Sequence, residues 1–192
     1  MKHQSKHTLF LDRDGVINER LPGAYVSDWA DFHFLAGVLD AMTIFTDYFA
    51  RIIIVTNQQG IGKGLMTEQQ LDLIHQKMEA TIRQHGGQVD GIFFCPALSN
   101  DPNNCRKPAP AMALQAQAAF PEIDFSQSTM VGDSISDIRF GHNLGMRTIL
   151  VDTKTDEQQQ WHLPHNQDLK PDMTVADLAS FAARLPLDYS KL

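Results

Sequence analysis

Cysteine is nearly absent from this chain: Cys95 and Cys105 are the two in 192 residues. Two thiols are not a disulfide framework, and their scarcity favours a reducing, cytoplasmic setting. Long apolar runs are absent too. No uninterrupted run exceeds four residues, as in Ile52–Val55, whereas a membrane-spanning helix needs about 20. The basic start, Met1 to His7, is followed only by Thr8 to Leu11 before the charge at Asp12. A signal peptide needs a longer apolar stretch, so export is not expected. An excess of positive charge is also missing. Sixteen Lys and Arg stand against 23 Asp and Glu, for a net charge of −7. The basic footprint of a nucleic-acid binder is therefore lacking, and no nucleic-acid partner is expected. An anionic ligand would need local cations to hold it against the overall field.

What is present is an ordinary globular composition, 43% hydrophobic and 20% charged, too apolar for a disordered chain. The length suits a single domain over residues 1–192, expected as a monomer. Strand and helix signals alternate. Thr8–Leu11 reads as a strand. Ala36–Ala50 carries Val38, Leu39, Met42, Phe45 and Phe49 at helical spacing, and Arg51–Val55 is a β-branched buried strand. Thr67 with Gln70 forms a capping box for a helix striped by Leu71, Ile74, Met78 and Ile82 and ended by Gly86-Gly87. Gly91–Phe94 follows as a strand, 96–108 as a loop, and Pro110 opens a helix to about Ala119. Thr129–Val131, Ser134–Leu144 and Met146–Val151 read as strand, helix and strand. Residues 152–171 read as a polar surface connection, Met173–Val175 as a last strand and Ala176–Leu185 as a last helix. The alternation predicts an α/β fold: a doubly wound, Rossmann-like parallel sheet with helices on both faces. In such sheets ligands sit at the carboxyl ends of the strands.

Four strand ends carry chemistry. After the first strand stands Asp12-Arg13-Asp14-Gly15-Val16-Ile17-Asn18. Two carboxylates two residues apart suit a nucleophile and a general acid or base, or simply a turn with solvated acids and Gly15 at positive φ. A calcium loop is excluded by the missing closing Glu. After the second strand, Thr56-Asn57-Gln58-Gln59-Gly60-Ile61-Gly62-Lys63-Gly64 reads as a glycine-rich turn or as backbone N–H groups facing an anion. It lacks the ending of a P-loop. Ahead of the Pro110 helix, Arg106-Lys107 is either a phosphate clamp or a solvated basic pair. Asp133 and Asp137 share one face at a helix start, where capping alone also favours acids.

In this order, each just after a strand, the four elements resemble the haloacid-dehalogenase-like phosphohydrolases over residues 8–151, with 152–192 matching only as a generic final strand and helix. The resemblance implies a Mg²⁺-dependent phosphomonoesterase without a large cap domain. Asp12 is then the nucleophile and Asp14 the general acid and base. Thr56, the Asn57 amide and Lys107 hold or neutralise the phosphoryl group. Asp133 binds Mg²⁺ with Asp12 and the Asp14 backbone carbonyl. Asp137 is an outer acid of the metal site, or positions Lys107.

The DRDGVIN and TNQQGIGKG segments, with Cys95-Pro96 ahead of Cys105-Arg106-Lys107-Pro108, are similar to the heptose bisphosphate and histidinol phosphatase group. Polynucleotide 3′-phosphatases share part of the set. Gly23–Val26 and Phe32–Val38 are similar to the heptose bisphosphate branch. The expected substrate is therefore a small phosphorylated molecule, a sugar bisphosphate, with Arg13, Asn57, Gln58, Gln59, Arg106 and Lys107 contacting it. Arg106 is the expected reader of the sugar or its second phosphate. Histidinol phosphate is the alternative, with Glu19, Asp28 or Asp31 as partner for its amine. A non-catalytic domain on this scaffold is disfavoured because Asp12, Asp14, Lys107 and Asp133 are all present. The group's loop carries a CxH…CxC zinc site ahead of RKP. Here Ala97 and Asn103 stand at two of the four ligand positions, so structural zinc is not expected. His75 and His85 are expected at the surface.

Overall fold

A computed structural model describes residues 7–102, 104–152 and 168–185, with Trp161, Leu163 and Asn166 between the last two segments. Six strands form one parallel sheet: β1 (Thr8–Leu11), β2 (Arg51–Asn57), β3 (Gly91–Cys95), β4 (Thr129–Gly132), β5 (Arg147–Val151) and β6 (Met173–Val175). Their order is β3-β2-β1-β4-β5-β6. The helices are α1 (Val38–Tyr48), α2 (Gln59–Gly62), α3 (Glu68–Gln84), α4 (Ala111–Ala119), α5 (Ile135–Asn143) and α6 (Leu178–Ala182).

Alternation along the strands divides the interior in two, because successive side chains point to opposite faces. Leu9, Leu11, Ile52, Ile54 and Val131 pack with α1, α3 and α6. Phe10, Ile53, Val55 and Met130 pack with Met112, Ala113 and Ala116 of α4 and Phe140 of α5. Burial on both faces is what the continuous apolar runs require. The strand order reverses at β1, whose neighbours are β2 and β4. That switch point opens a crevice at the carboxyl ends of the central strands, directly above Leu11 and Gly132.

The expected alternation holds, with three differences. The 56–64 segment is not all loop: strand β2 runs on to Asn57 and Gln59–Gly62 closes a helical turn. The last helix starts at Leu178, where Asp177 caps it by accepting from the Ser180 N–H. The two cysteines, read as reduced thiols, are joined in a disulfide. That pairing is a contact between a strand end and a loop, and the loop's path is not visible in composition. Most of the 152–171 connection lies outside the described residues. Among the described residues no helix is long and apolar enough to cross a membrane.

Candidate active site

Asp12 and Asp133 each stand one residue beyond a buried strand, Thr56 stands in β2 just before its last residue Asn57, and Lys107 comes from the loop after β3. Asp12 leaves β1 with its N–H donating to the Val131 carbonyl of β4 at 2.9 Å, which fixes it over the switch point. Asp133 follows β4, and Thr56 lies near the end of β2. Carboxylate oxygens of Asp12, Asp133 and Asp137 come within 4.8 Å of one another, and all three residues are buried. Gly15 has φ 91°, and a side chain there would collide with the Asp133 carboxylate. The glycine thus lets the first loop close onto that acid. A compact set of hard oxygen donors suits Mg²⁺.

Lys107 is pinned from several sides. Its N–H donates to Asn57 Oδ1 at 2.9 Å. Its ammonium donates to the Val55 carbonyl at 2.7 Å and pairs with Asp12 at 2.8 Å and Asp137 at 2.6 Å. Burial would push Lys107 down, but the two carboxylates outweigh it and raise it. Burial raises Asp12 to about 6, with the Lys107 charge opposing and the Asp137 charge assisting. All three ammonium donors already meet protein oxygens. A phosphoryl group therefore receives the charge of Lys107 before it receives any hydrogen bond. The other oxygen of Asp137 accepts from the Ser134 N–H and hydroxyl in a capping box on α5.

Asp14 is held differently. One oxygen accepts from Arg13 and from Asn18 Nδ2 at 2.9 Å, the other from Arg13 and from Gln58 Nε2 at 2.7 Å. Burial would raise its carboxyl, but Arg13 and these amide donors outweigh it and hold it below the usual range. Three expectations change here. Arg13 does not face substrate: it is fully buried with its guanidinium spent on Asp14 and His75. Gln58 reaches the crevice, but its amide is divided between Asp14 and Thr56 Oγ1. It orients catalytic groups. His75 is not a surface residue either. It is buried in α3, four residues after Leu71 and three before Met78, a spacing that placed it in the apolar stripe all along. His85 is exposed as expected.

Asp12, Asp14, Thr56, Lys107 and Asp137 form the floor of a cavity of about 880 Å³. Its wall carries residues the sequence reading did not select: Arg20, Tyr25 and Lys63, beside the expected Gln59 and Arg106. The Lys63 ammonium lies over the Tyr25 ring, 5.4 Å from its centre, and Gln59 donates to the Tyr25 hydroxyl at 3.0 Å. Burial alone would raise the Tyr25 phenol, but the hydrogen bonds of Lys63 and Gln59 and the charges of Lys63 and Arg106 bring it below its usual value. Acids thus crowd the floor while cations gather on the wall. Glu19, Asp28 and Asp31 do not line the cavity. The disulfide joins the end of β3 to the residue before Arg106, and with both sulfurs in that bond neither is a thiolate donor for a metal.

The family model described as HAD-hydrolase-like matches residues 104–181. A D-glycero-alpha-D-manno-heptose-1,7-bisphosphate 7-phosphatase of Mycobacterium tuberculosis is 38% identical over 71% of this chain and 72% of its own. A D-glycero-beta-D-manno-heptose-1,7-bisphosphate 7-phosphatase of Yersinia pestis is 36% identical over 77% of this chain and 81% of its own. The crystal structure of a heptose bisphosphate phosphatase from B. bronchiseptica, complexed with magnesium and phosphate, superposes with a TM-score of 0.82 at 32% identity. It covers 95% of this chain and 99% of that one.

Proposed function

From the premise that the chain belongs to the haloacid-dehalogenase-like hydrolases, in the family of the heptose-1,7-bisphosphate 7-phosphatases, we propose that it removes the 7-phosphate of a heptose 1,7-bisphosphate through a phospho-Asp12 intermediate. The observation that carries this reading is the two-ended cavity. Its acidic floor suits a metal and a transferring phosphoryl group. Its Lys63, Tyr25 and Arg106 wall suits a second anionic group on the same small molecule.

Asp12, Asp133 and the Asp14 backbone carbonyl would hold Mg²⁺, which would supply positive charge against the repulsion between a carboxylate and a phosphoryl dianion. An Asp12 oxygen attacks phosphorus as the ester P–O bond breaks, and the departing alkoxide takes a proton from Asp14. Asp14 then takes a proton from water, whose oxygen attacks phosphorus and frees Asp12 and inorganic phosphate. At rest Arg13 keeps Asp14 ionised. An arriving phosphate adds negative charge beside it, which favours protonation and readies the acid.

The test is kcat/KM over a panel: both anomers of the heptose bisphosphate, histidinol phosphate, a nucleoside 3′-phosphate and a small generic phosphomonoester. The bisphosphate should lead. Arg106→Ala should cost it roughly 10–150-fold and the generic ester little. A wild type that prefers histidinol phosphate would overturn the assignment. Equal losses on both substrates would remove Arg106 from substrate recognition.

A further inference from the structure

Arg13 is a fully buried cation that does not itself line the cavity, and His75 is a buried imidazole that the proposed chemistry does not use. They meet each other: Arg13 Nη1 lies 3.2 Å from His75 Nε2. Arg13 offers only donors, so Nε2 must be the acceptor and the ring must be neutral with its proton on Nδ1. Burial first, and the Arg13 charge next, push His75 down to about 3, which keeps it neutral. The Phe94 ring stands edge-on to the imidazole, 6.3 Å between centres, and limits its rotation.

The other side of the same guanidinium grips Asp14. Nη2 donates to both oxygens at 2.8 and 2.9 Å, and Nε donates to Oδ1 at 3.2 Å. A guanidinium is planar, so fixing one edge fixes the plane in which the other edge presents its donors. Arg13 and Asp14 are adjacent in the chain, but His75 comes from α3, 62 residues away. The rotamer of the proton-transfer carboxylate is thereby tied to a helix outside the catalytic loop.

We propose that His75 is a positioning residue, which acts through Arg13 to hold the Asp14 carboxylate in line with the leaving oxygen. The proposal rests on Asp14 being the general acid. It predicts a particular pattern of loss. An alkyl or sugar phosphate needs a proton on its departing oxygen. A p-nitrophenyl ester departs as a stabilised phenolate and does not. A loosened Asp14 therefore penalises the first and spares the second, whereas a general loss of fold penalises both.

The experiment measures kcat/KM above pH 7 for the preferred sugar phosphate and for p-nitrophenyl phosphate, in the wild type, His75→Leu and His75→Gln. A Gln side chain carries an oxygen to about the place of Nε2 and restores the acceptor. His75→Leu should lose roughly tenfold on the sugar phosphate and less than about twofold on the phenyl ester, and His75→Gln should recover most of the loss. Equal losses on both esters, an unchanged sugar-phosphate rate in His75→Leu, or no recovery in a folded His75→Gln would each overturn it. Should the leucine variant fail to fold, the glutamine variant and Arg13→Lys, which keeps the charge but lacks the fork, carry the same comparison. Arg13→Lys should show the selective loss, and an unselective one would count against the relay. The wild-type substrate panel is read separately, so a wrong heptose assignment leaves this test intact.

Discussion

Lys107 lies between Asp12 and Asp137, 2.8 and 2.6 Å from their carboxylates, and the closer partner is the one outside the proposed chemistry. Asp137 can approach so near because Gly132 faces it: a side chain at 132 would occupy the space of Asp137 Cβ and Cγ. The ammonium is thus parked on an acid of helix α5 while still neutralising Asp12, the proposed nucleophile after β1.

Asp137→Asn should retain the helix cap but remove one of the two charges on a buried ammonium. Lys107 keeps Asp12, so the cost falls near that of one charge-assisted hydrogen bond, about 1.5–3 kcal/mol. Lys107 should then settle on Asp12 alone and mask it, and kcat should drop. Urea unfolding and steady-state kinetics check both. An unchanged denaturation midpoint would mean the Asp137 contact is incidental.

Magnesium should stabilise the protein, since the acids of the floor are closer together than their charges favour. At about 100 times its dissociation constant the ion should add about 2.7 kcal/mol, seen as a rise in melting temperature. Asp133→Asn should abolish that rise and the activity together. A rise that survives in Asp133→Asn would place the ion elsewhere.

The disulfide spans a sequence separation of 10, and closing such a loop restrains the unfolded chain by about 2–3 kcal/mol. Reductant should lower the unfolding free energy by that amount, and the denatured, unreduced protein should show no free thiol. Titration of two thiols before reduction would show the cysteines to be unpaired.

His75 ties stability to acidity. The unfolded imidazole titrates near 6.5, the folded one at about 3. Below 6.5 the unfolded chain binds a proton that the folded chain refuses, so stability is lost as pH falls from there toward 3. The loss from this residue is about 1.4 kcal/mol per pH unit, or about 2 kcal/mol at pH 5. Above 6.5 both states are neutral and nothing is lost. His75→Gln should therefore gain on the wild type steadily between pH 6.5 and 4. A difference that stays constant over that range would show that His75 protonates freely in the folded protein.

Asp12, Thr56 and Asp133 were legible in the sequence because each stands at or just after the end of a short apolar strand, and a parallel sheet delivers the ends of its strands to one edge. The capping box of Thr67 and Gln70 was legible for a similar reason, since its partners are three residues apart. None of this required knowing which segments lie side by side. The remaining features depend on contacts between distant parts of the chain. Gln58 reaches Asp14 across 44 residues and His75 reaches Arg13 across 62. Tyr25 meets Lys63 only because two loops face one cavity, and the cysteines pair only because the loop returns to the end of β3. Local periodicity settles which face of an element is apolar. It does not say what a polar residue on that face will meet, because its partner is set by how the helices and loops pack on the sheet.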